Sequence, residues 1–261
     1  MIRIGLAGAG GRMGKLIAEF VLKDPRFRLA VATVSPLSPL VGKSIIPGLI
    51  FSTDQKSLFA HSDIVVDFTN PSTTFDHVRY AIDYKKPLVI GTTGLSSEHK
   101  DAINAAAQYI PILYAPNTSL GVTIMQNVVK RLSQILGDDF DAEISEIHHK
   151  HKVDAPSGTA LALGDVVAEG RQTTLDQVAR FNRHGHTGPR APGEIGFSVQ
   201  RGGAYPGEHT VRFMGDEESL EITHRSFSRA LFARGAIAAA YWLAGKKEPG
   251  LYTMHDVLGL T

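Results

Sequence analysis

Apolar residues in the first half of the chain form short runs that are separated by segments with helical spacing. Short, mostly apolar runs are typical of strands that are buried on both faces. They lie at Ile2 to Ala7, Leu29 to Val34, Ile64 to Phe68, Pro87 to Ile90, and Ile112 to Ala115. Helical spacing follows Met13 and recurs over Phe75 to Tyr84 and over Ser97 to Gln108. Strands that alternate with helices predict a parallel sheet covered on both faces.

The pattern changes after about Asn117. A long helix is predicted from Ser119 to Leu136, a half-exposed strand from Ala142 to Ile147, and a helix from Ser157 to Ala168. Further strands are predicted over Ile195 to Gln200, His209 to Met214, and Leu220 to Arg225, with a helical tail from Phe227. We therefore predict an α/β protein with a Rossmann-like, doubly wound parallel sheet and an inserted mixed α+β domain. The expected domains are 1–118 with 229–261, and 119–228.

Composition narrows the class of protein. The 261 residues are 43% apolar and 20% charged, with a formal net charge of +1, which gives no support for a nucleic-acid or membrane-surface partner. The absence of cysteine excludes disulfides, thiolate metal sites and a cysteine nucleophile. We find neither a signal-peptide pattern nor an apolar run of the ~18 residues that a membrane span needs, so we expect a cytoplasmic protein.

A glycine-rich loop, Gly8-Ala9-Gly10-Gly11-Arg12-Met13-Gly14, joins the first predicted strand to the first helix. Glycines in this place let backbone N–H groups approach a pyrophosphate at a helix N-terminus. The last glycine comes one residue later than in the strict dinucleotide fingerprint, and a bare structural turn is the alternative. The strand–loop–helix context favours nucleotide binding.

The end of the second strand bears on the choice of cofactor. An acidic residue there would bind the ribose 2′-hydroxyl of NAD, but the chain reads Val34-Ser35-Pro36. We expect Ser35 to contact this part of the cofactor. Arg12 is the nearest candidate cation for a 2′-phosphate. The sequence therefore predicts use of NADPH or NADH, with a slight lean to NADPH or to dual use.

The segment from Glu146 to Ala160 holds three histidines and two lysines within five positions, just before a predicted helix start. A cationic group suits an anionic substrate, and a histidine can supply a proton near neutral pH. The helix start adds Ser157 as a cap and the backbone N–H groups of Gly158 and Thr159 as carboxylate donors. Three alternatives stay open: a metal site, which Lys150 and Lys152 oppose by repulsion, a solvated basic surface, and a phosphate or nucleic-acid site. We expect no metal ion.

The run Glu-Ile-His-His-Lys-His-Lys-Val-Asp-Ala-Pro-Ser-Gly-Thr-Ala over residues 146–160 resembles the signature of the 4-hydroxy-tetrahydrodipicolinate reductase (dihydrodipicolinate reductase) family. The likeness extends over nearly the whole chain. It includes the glycine loop, Asp67-Phe68-Thr69, Gly91-Thr92-Thr93-Gly94, Ala115-Pro116-Asn117-Thr118-Ser119, Gly185-His186-Thr187-Gly188, Gly207-Glu208-His209-Thr210 and Trp242-Leu243. The main departures are Thr118, where the family often has an aromatic residue, and the missing charged pair near Ser35.

The resemblance implies a role for each matching residue. His148 would donate the proton with Lys152 as its partner, and His149, Gly158 and Thr159 would hold the substrate. The residues that would line the cofactor are Gly8, Ala9, Gly10, Gly11, Arg12, Met13, Gly91, Thr92, Thr93, Ala115, Pro116, Asn117 and Thr118. The first domain would then be the dinucleotide-binding domain, and the inserted one would serve substrate binding and oligomerisation.

The resemblance also implies the reaction. Such enzymes use NAD(P)H to reduce 4-hydroxy-tetrahydrodipicolinate, a small dicarboxylate, to tetrahydrodipicolinate with loss of water, in the diaminopimelate route of lysine biosynthesis. They are homotetramers joined through the inserted sheet. Two alternatives remain: another two-domain NAD(P)-dependent dehydrogenase of a small acid, and a non-catalytic sensor that binds a dinucleotide. An aldehyde dehydrogenase that forms a thiohemiacetal is excluded, because the chain has no cysteine.

Overall fold

The computed structural model describes residues 1–260 and divides into two compact units. Unit 1 comprises Met1–Leu120 together with the described residues from Ala230 onward, and unit 2 comprises Gly121–Arg229. The predicted fold class is confirmed, since unit 1 holds a mostly parallel sheet with helices on both faces and unit 2 holds a smaller mixed sheet.

Eight strands form the sheet of unit 1. They are β1 (Ile2–Ala7), β2 (Phe27–Thr33), β3 (Ser44–Ile46), β4 (Leu49–Ser52), β5 (Ile64–Asp67), β6 (Leu88–Ile90), β7 (Pro111–Tyr114) and β13 (Gly250–Tyr252). Their order is β13-β7-β6-β5-β1-β2-β4-β3, and every neighbouring pair is parallel except β3 with β4. β1 lies between β2 and β5, so the winding direction reverses there. Ligands of such sheets bind beyond the carboxyl ends of the strands at this reversal.

The helices of unit 1 cover both faces of this sheet. They are α1 (Arg12–Lys23), α2 (Gln55–Ala60), α3 (Pro71–Asp83), α4 (Ser97–Ala106), α8 (Ala230–Ala244) and α9 (Met254–Leu258). Ile17 of α1 and Ala236 of α8 share one buried cluster, whereas Phe59 of α2 and Val78 of α3 belong to the other. Because the central strands are buried on both sides, they are almost entirely apolar.

Unit 2 is a mixed five-stranded sheet with helices. Its elements are α5 (Leu120–Leu136), which begins at the last residue of unit 1, a short 3-10 helix (Gly137–Asp139), β8 (Asp141–His148), α6 (Gly158–Gly170), α7 (Leu175–Val178), β9 (Ala179–Arg180), β10 (Ile195–Arg201), β11 (Glu208–Met214) and β12 (Ser219–Arg225). The strand order is β12-β11-β8-β10-β9, with β10 parallel to β8 and β11 antiparallel to it. Val129 of α5 and Leu163 of α6 pack against Ile144 and Val211, so these helices cover one face of the sheet.

Several short elements differ from the predicted pattern. The helical tail expected from Phe227 is wrong in part, because α8 ends at Ala244 and is followed by β13 and α9. β13 pairs with β7, with Leu251 opposite Ile112, and becomes an edge strand of the unit 1 sheet. The hairpin of β3 and β4 and the helix α2 were also not predicted. Among the described helices, none combines the length and apolar character that a membrane span requires.

Candidate functional site

The glycine-rich loop of unit 1 leads from β1 directly into α1. Gly8 has a φ of +77°, and a Cβ there would lie 2.3 Å from the carbonyl oxygen of Phe68. A Cβ at Gly10 would lie 2.9 Å from Cδ1 of Leu40. Gly11 is the N-cap of α1, and no side chain within residues 1–260 caps this helix start. The first-turn N–H groups are therefore presented to an anion such as a pyrophosphate.

Gly14 is the last glycine of the loop, and the structure shows why a glycine is needed at this position. A Cβ at this position would lie 2.1 Å from the carbonyl oxygen of Gly8. The third glycine of the dinucleotide fingerprint allows such close packing of helix against strand. Gly14 therefore performs this packing one residue later, while Arg12 and Met13 open the helix, Arg12 exposed and Met13 half-buried.

Asp67, at the carboxyl end of β5, is the centre of a buried polar network. Its carboxylate accepts hydrogen bonds from Nδ1 of His77 (2.9 Å) and from the hydroxyl groups of Thr69 (2.6 Å), Thr74 (3.0 Å) and Thr92 (3.2 Å). Burial favours the neutral acid, but the hydrogen bonds from His77, Thr69 and Thr74 outweigh it, so the pKa of Asp67 lies below 3.8. The network joins the ends of β5 and β6 beside the glycine loop.

The remaining predicted cofactor residues lie at three strand ends of unit 1. Gly91 packs under Phe68, since a Cβ on Gly91 would lie 2.1 Å from that ring. Ala115 is buried and Pro116 is exposed, beyond the end of β7. The hydroxyl group of Thr118 donates to the carbonyl oxygen of Phe232 at 2.7 Å, so this side chain fastens α8.

Four other members of the predicted set differ in exposure. Ala9 and Thr92 are buried, Thr93 is exposed, and the amide oxygen of Asn117 accepts from the N–H of Ser119 at 2.9 Å. Of these four, Thr93 is the most accessible to a ligand.

Ser35 lies just past the end of β2, exposed, and its hydroxyl oxygen accepts from the N–H of Leu37 at 3.3 Å. This is the strand end from which the ribose is read in such folds. A hydroxyl group offers neither the carboxylate that would reject a 2′-phosphate nor the guanidinium that would bind one. The structure therefore leaves the choice between NADH and NADPH to weaker contacts.

In unit 2, the buried face of β8 carries a carboxylate. The alternation along the strand buries Ala142, Ile144, Glu146 and His148. Glu146 is 1% exposed, and Oε2 contacts Nδ1 of His148 while Oε1 accepts from Nη2 of Arg201 at 2.9 Å. Burial would raise the pKa of Glu146, but hydrogen bonds from His148 and Arg201 outweigh this and lower it to about 2.

His148 therefore stands at the end of a strand with one ring nitrogen held by a carboxylate. It is 8% exposed. Nε2 lies beside the backbone of Gly207, where a Cβ would come within 2.9 Å of it. The ring of His209 meets that of His148 edge to face with centroids 5.1 Å apart. Burial and the charge of His148 lower the pKa of His209 to about 3, so His209 is neutral.

The structure separates the members of the predicted cationic cluster. Lys150 and His151 are exposed, whereas Nζ of Lys152 is paired with both carboxylate oxygens of Asp154 at 2.8 Å. His149 is half-buried. Desolvation of its ring and the nearby positive charge of Arg229 lower the pKa of His149. The cluster is thus not a uniformly solvated basic face.

The start of α6 follows this loop. Ser157 is the N-cap, and its hydroxyl oxygen accepts from the N–H of Ala160 at 3.2 Å and contacts Nε2 of His209 at 3.0 Å. Its own N–H donates to Oε1 of Glu146 at 2.9 Å. A Cβ at Gly158 would meet no described atom within 4 Å, so the helix start is open at this residue. Thr159 follows, half-buried.

Several polar residues of these networks received no role from the sequence, among them Asp67, His77, Glu146 and Arg201. Glu146 gave a usable signal, because strand alternation places it on the same face as Ile144 and His148. Arg201 gave none, since it reaches Glu146 only through the parallel register of β10 with β8, which sets Arg201 opposite His148.

The reversal of strand order, the uncapped glycine-loop helix and the buried histidine define the class of a dinucleotide-dependent oxidoreductase. The glycine positions fit the cofactor, because a side chain at Gly8 or Gly10 would collide with Phe68 or Leu40 and displace the loop.

The chain matches the models for the N-terminus and the C-terminus of dihydrodipicolinate reductase over residues 2–118 and 121–258. It belongs to the dihydrodipicolinate reductase family and is an NAD(P)H-dependent oxidoreductase.

Relatives named 4-hydroxy-tetrahydrodipicolinate reductase match along their full length. The one from Magnetococcus marinus is 43% identical over 99% of this chain and 98% of its own. The one from Bordetella pertussis is 46% identical over 99% of this chain and 97% of its own. Among solved structures, a dipicolinate-bound dihydrodipicolinate reductase from Paenisporosarcina sp. TG-14 has a TM-score of 0.81 at 22% identity over 98% of both chains. GenD2 from gentamicin A biosynthesis, in complex with NAD, has a TM-score of 0.62 at 14% identity over 99% of this chain and 90% of its own. These two show the fold.

Proposed function

We propose that this protein reduces 4-hydroxy-tetrahydrodipicolinate to tetrahydrodipicolinate with loss of water, using NADH or NADPH, in the diaminopimelate route to lysine. The observation that carries the proposal is the placement of a carboxylate-bound histidine, His148, next to an open helix start at Gly158. Full-length relatives that bear this enzyme's name support it.

Bound NAD(P)H supplies the hydride. The glycine loop, from Gly8 to Met13, would hold the pyrophosphate through backbone N–H groups and the N-terminus of α1. Gly91 to Thr93 and Ala115 to Thr118 would line the rest of the cofactor, and Ser35 would lie at the ribose. The Asp67 network already holds the hydroxyl group of Thr92 in place.

The substrate is a dicarboxylate, and each carboxylate that leaves water needs matching donors. In the proposal, the N–H groups of Gly158 and Thr159 and the Thr159 hydroxyl hold one carboxylate. Lys152 supplies positive charge to the other, and the ring of His149 can donate a hydrogen bond to it. The dipicolinate-bound member of the family supports a site for a planar dicarboxylate.

His148 would deliver the proton that the reduction requires. Its Nδ1 is held by Glu146, so the proton leaves from Nε2, beside Gly207. Lys152 would assist, after exchanging its ion pair with Asp154 for one with the substrate. General acid catalysis of this kind contributes ~10²–10⁴ in rate.

A homotetramer joined through the sheet of unit 2 is part of the proposal. One face of this sheet is covered by α5 and α6, while the other carries half-buried or exposed polar side chains, among them Glu143, Ser198 and Glu221. Light scattering after gel filtration measures the assembly. A cytoplasmic location and the absence of a nucleic-acid partner stay predictions from the sequence.

The reaction is tested by mixing the protein with the freshly made condensation product of pyruvate and aspartate semialdehyde and following cofactor absorbance. We expect turnover with both NADPH and NADH. His148→Gln should lower kcat by ~10²–10⁴ and leave the cofactor Kd unchanged, whereas the exposed His184→Gln is the matched control. A wild-type protein without turnover contradicts the proposal.

The helix start is tested with Gly158→Ala combined with Thr159→Val. A Cβ at Gly158 meets open space, so the alanine at this position should leave the packing of the helix start intact. We expect a strongly raised substrate KM and loss of competitive inhibition by pyridine-2,6-dicarboxylate. If α6 begins with an ordinary cap and no ligand, the same variant keeps its KM and its inhibition.

A further inference from the structure

Glu146 occupies a position that strand alternation reserves for an apolar side chain. It follows Ala142 and Ile144 on the buried face of β8, yet it is an ionised carboxylate with 1% exposure. A buried charge lowers stability unless it is fully hydrogen-bonded. Because burial of this charge lowers the stability of the fold and Glu146 lies beside His148, we expect Glu146 to serve the site.

The two carboxylate oxygens of Glu146 hold two different parts of unit 2. Oε2 contacts Nδ1 of His148 at the end of β8. Oε1 accepts from the N–H of Ser157, the N-cap of α6, and from Nη2 of Arg201, both at 2.9 Å. Nη2 of Arg201 also donates to the carbonyl oxygen of Asp154 at 2.6 Å, which fixes the loop between these parts.

This arrangement determines which nitrogen of His148 exchanges its proton. A carboxylate accepts hydrogen bonds only, so Nδ1 of His148 keeps its hydrogen. Nε2 is then the atom that gains and loses a proton, and it lies next to Gly207, where the missing side chain leaves room. His209 is neutral, and its Nε2 contacts the hydroxyl group of Ser157. The side chains that contact the negative charge of Glu146 are therefore those of His148 and Arg201.

We propose that Glu146 is a positioning residue that fixes the reactive tautomer of His148 and, through the same carboxylate, the start of the substrate-binding helix α6. The inference rests on the proposed function, because it assigns the proton donation to His148. It adds a residue that acts through His148 and Ser157 rather than by touching the substrate.

The test is Glu146→Gln. Oε1 of the new amide must face the N–H of Ser157 and Arg201, because both are donors, so its NH₂ group faces Nδ1 of His148. The neutral ring then carries its proton on Nε2. We expect kcat to fall by ~10²-fold or more, as for other histidines forced into the wrong tautomer. Glu169→Gln, near the other end of α6, removes an exposed carboxylate of the same unit and should keep kcat within a factor of about 3.

Histidine ¹⁵N spectra give a readout that a merely structural role would not move. With the His148 signals assigned from His148→Gln, the wild type should show the proton of the neutral ring on Nδ1 and Glu146→Gln should show it on Nε2. A wild-type His148 with its proton on Nε2 overturns the inference even if the variant does not fold. An active wild type with an equally active Glu146→Gln also overturns it, whereas an inactive wild type overturns the proposed function.

Discussion

The substitution Asp67→Asn should destabilise the protein strongly. The carboxylate is fully buried and accepts from His77, Thr69, Thr74 and Thr92. An asparagine keeps one acceptor oxygen but turns an NH₂ group toward hydrogen-bond donors, and it removes the negative charge that these donors contact. A hydrogen bond to a charged group contributes about 1.5–3 kcal/mol, so the loss of two of the four should cost about 3–6 kcal/mol.

That loss can be converted into a melting temperature. Each kcal/mol moves Tm by ~2–4 °C in a protein of this size, so Tm should fall by roughly 6–24 °C. Differential scanning calorimetry measures it. The matched control is Asp63→Asn in the same unit, whose ion pair with Arg3 has both side chains more than a third exposed and so contributes little.

The double variant Asp67→Asn with His77→Gln separates the contribution of the Asp67–His77 contact to stability from that of the threonine hydroxyl groups. If the contact between Asp67 and His77 carries the effect, the double variant should lose less stability than the two single variants together. Equal Tm values for Asp67→Asn and Asp63→Asn would refute the reasoning, because the buried network would then contribute no more than an exposed pair.

Three further predictions concern the site itself. Gly207→Ala should lower kcat by about tenfold or more while cofactor binding is kept, because its Cβ would lie 2.9 Å from Nε2 of His148; unchanged kcat means that Nε2 is not the reactive atom. The wild type should prefer one cofactor by less than ~10²-fold in kcat/KM, and Ser35→Asp should shift the preference toward NADH, since a carboxylate accepts from the ribose hydroxyl and repels a 2′-phosphate. The pKa of Glu146 falls from 4.5 to about 2 on folding, so its contribution to stability is present above about pH 4.5 and is lost toward pH 2; urea unfolding across this window should show a shallower pH dependence in Glu146→Gln.

The sequence predicts the long elements well because their apolar patterns are set locally. The bounds of β1 agree with the predicted Ile2 to Ala7, and α5 begins one residue from the predicted Ser119. β3 and β13 are three residues long, too short for a period to appear, and β13 exists only because β7 offers it an edge. Pairing between distant strands is a tertiary effect that no local pattern contains.

The residues of the candidate site show the same difference between local patterns and tertiary contacts. The loop from Gly8 to Gly14 can be found from its glycines, because backbone conformation demands them. Arg201 cannot, because its contact with Glu146 spans 55 positions and follows from the register of two strands. The cluster of charges around His148 indicates an anionic substrate. Only the structure shows that Lys152 is paired with Asp154, and that His148 is buried whereas Lys150 is exposed.

The two units hold two buried histidine–carboxylate pairs, and the second ring nitrogen tells their functions apart. His77 contacts Asp67 through Nδ1 and Gln55 through Nε2 at 3.1 Å, so both nitrogens are bound within the protein and the ring is fixed. His148 contacts Glu146 through Nδ1, while Nε2 faces the bare backbone of Gly207. A ring with both nitrogens bound holds a fold together, whereas a ring with one nitrogen bound and the other beside a glycine can pass a proton to a substrate.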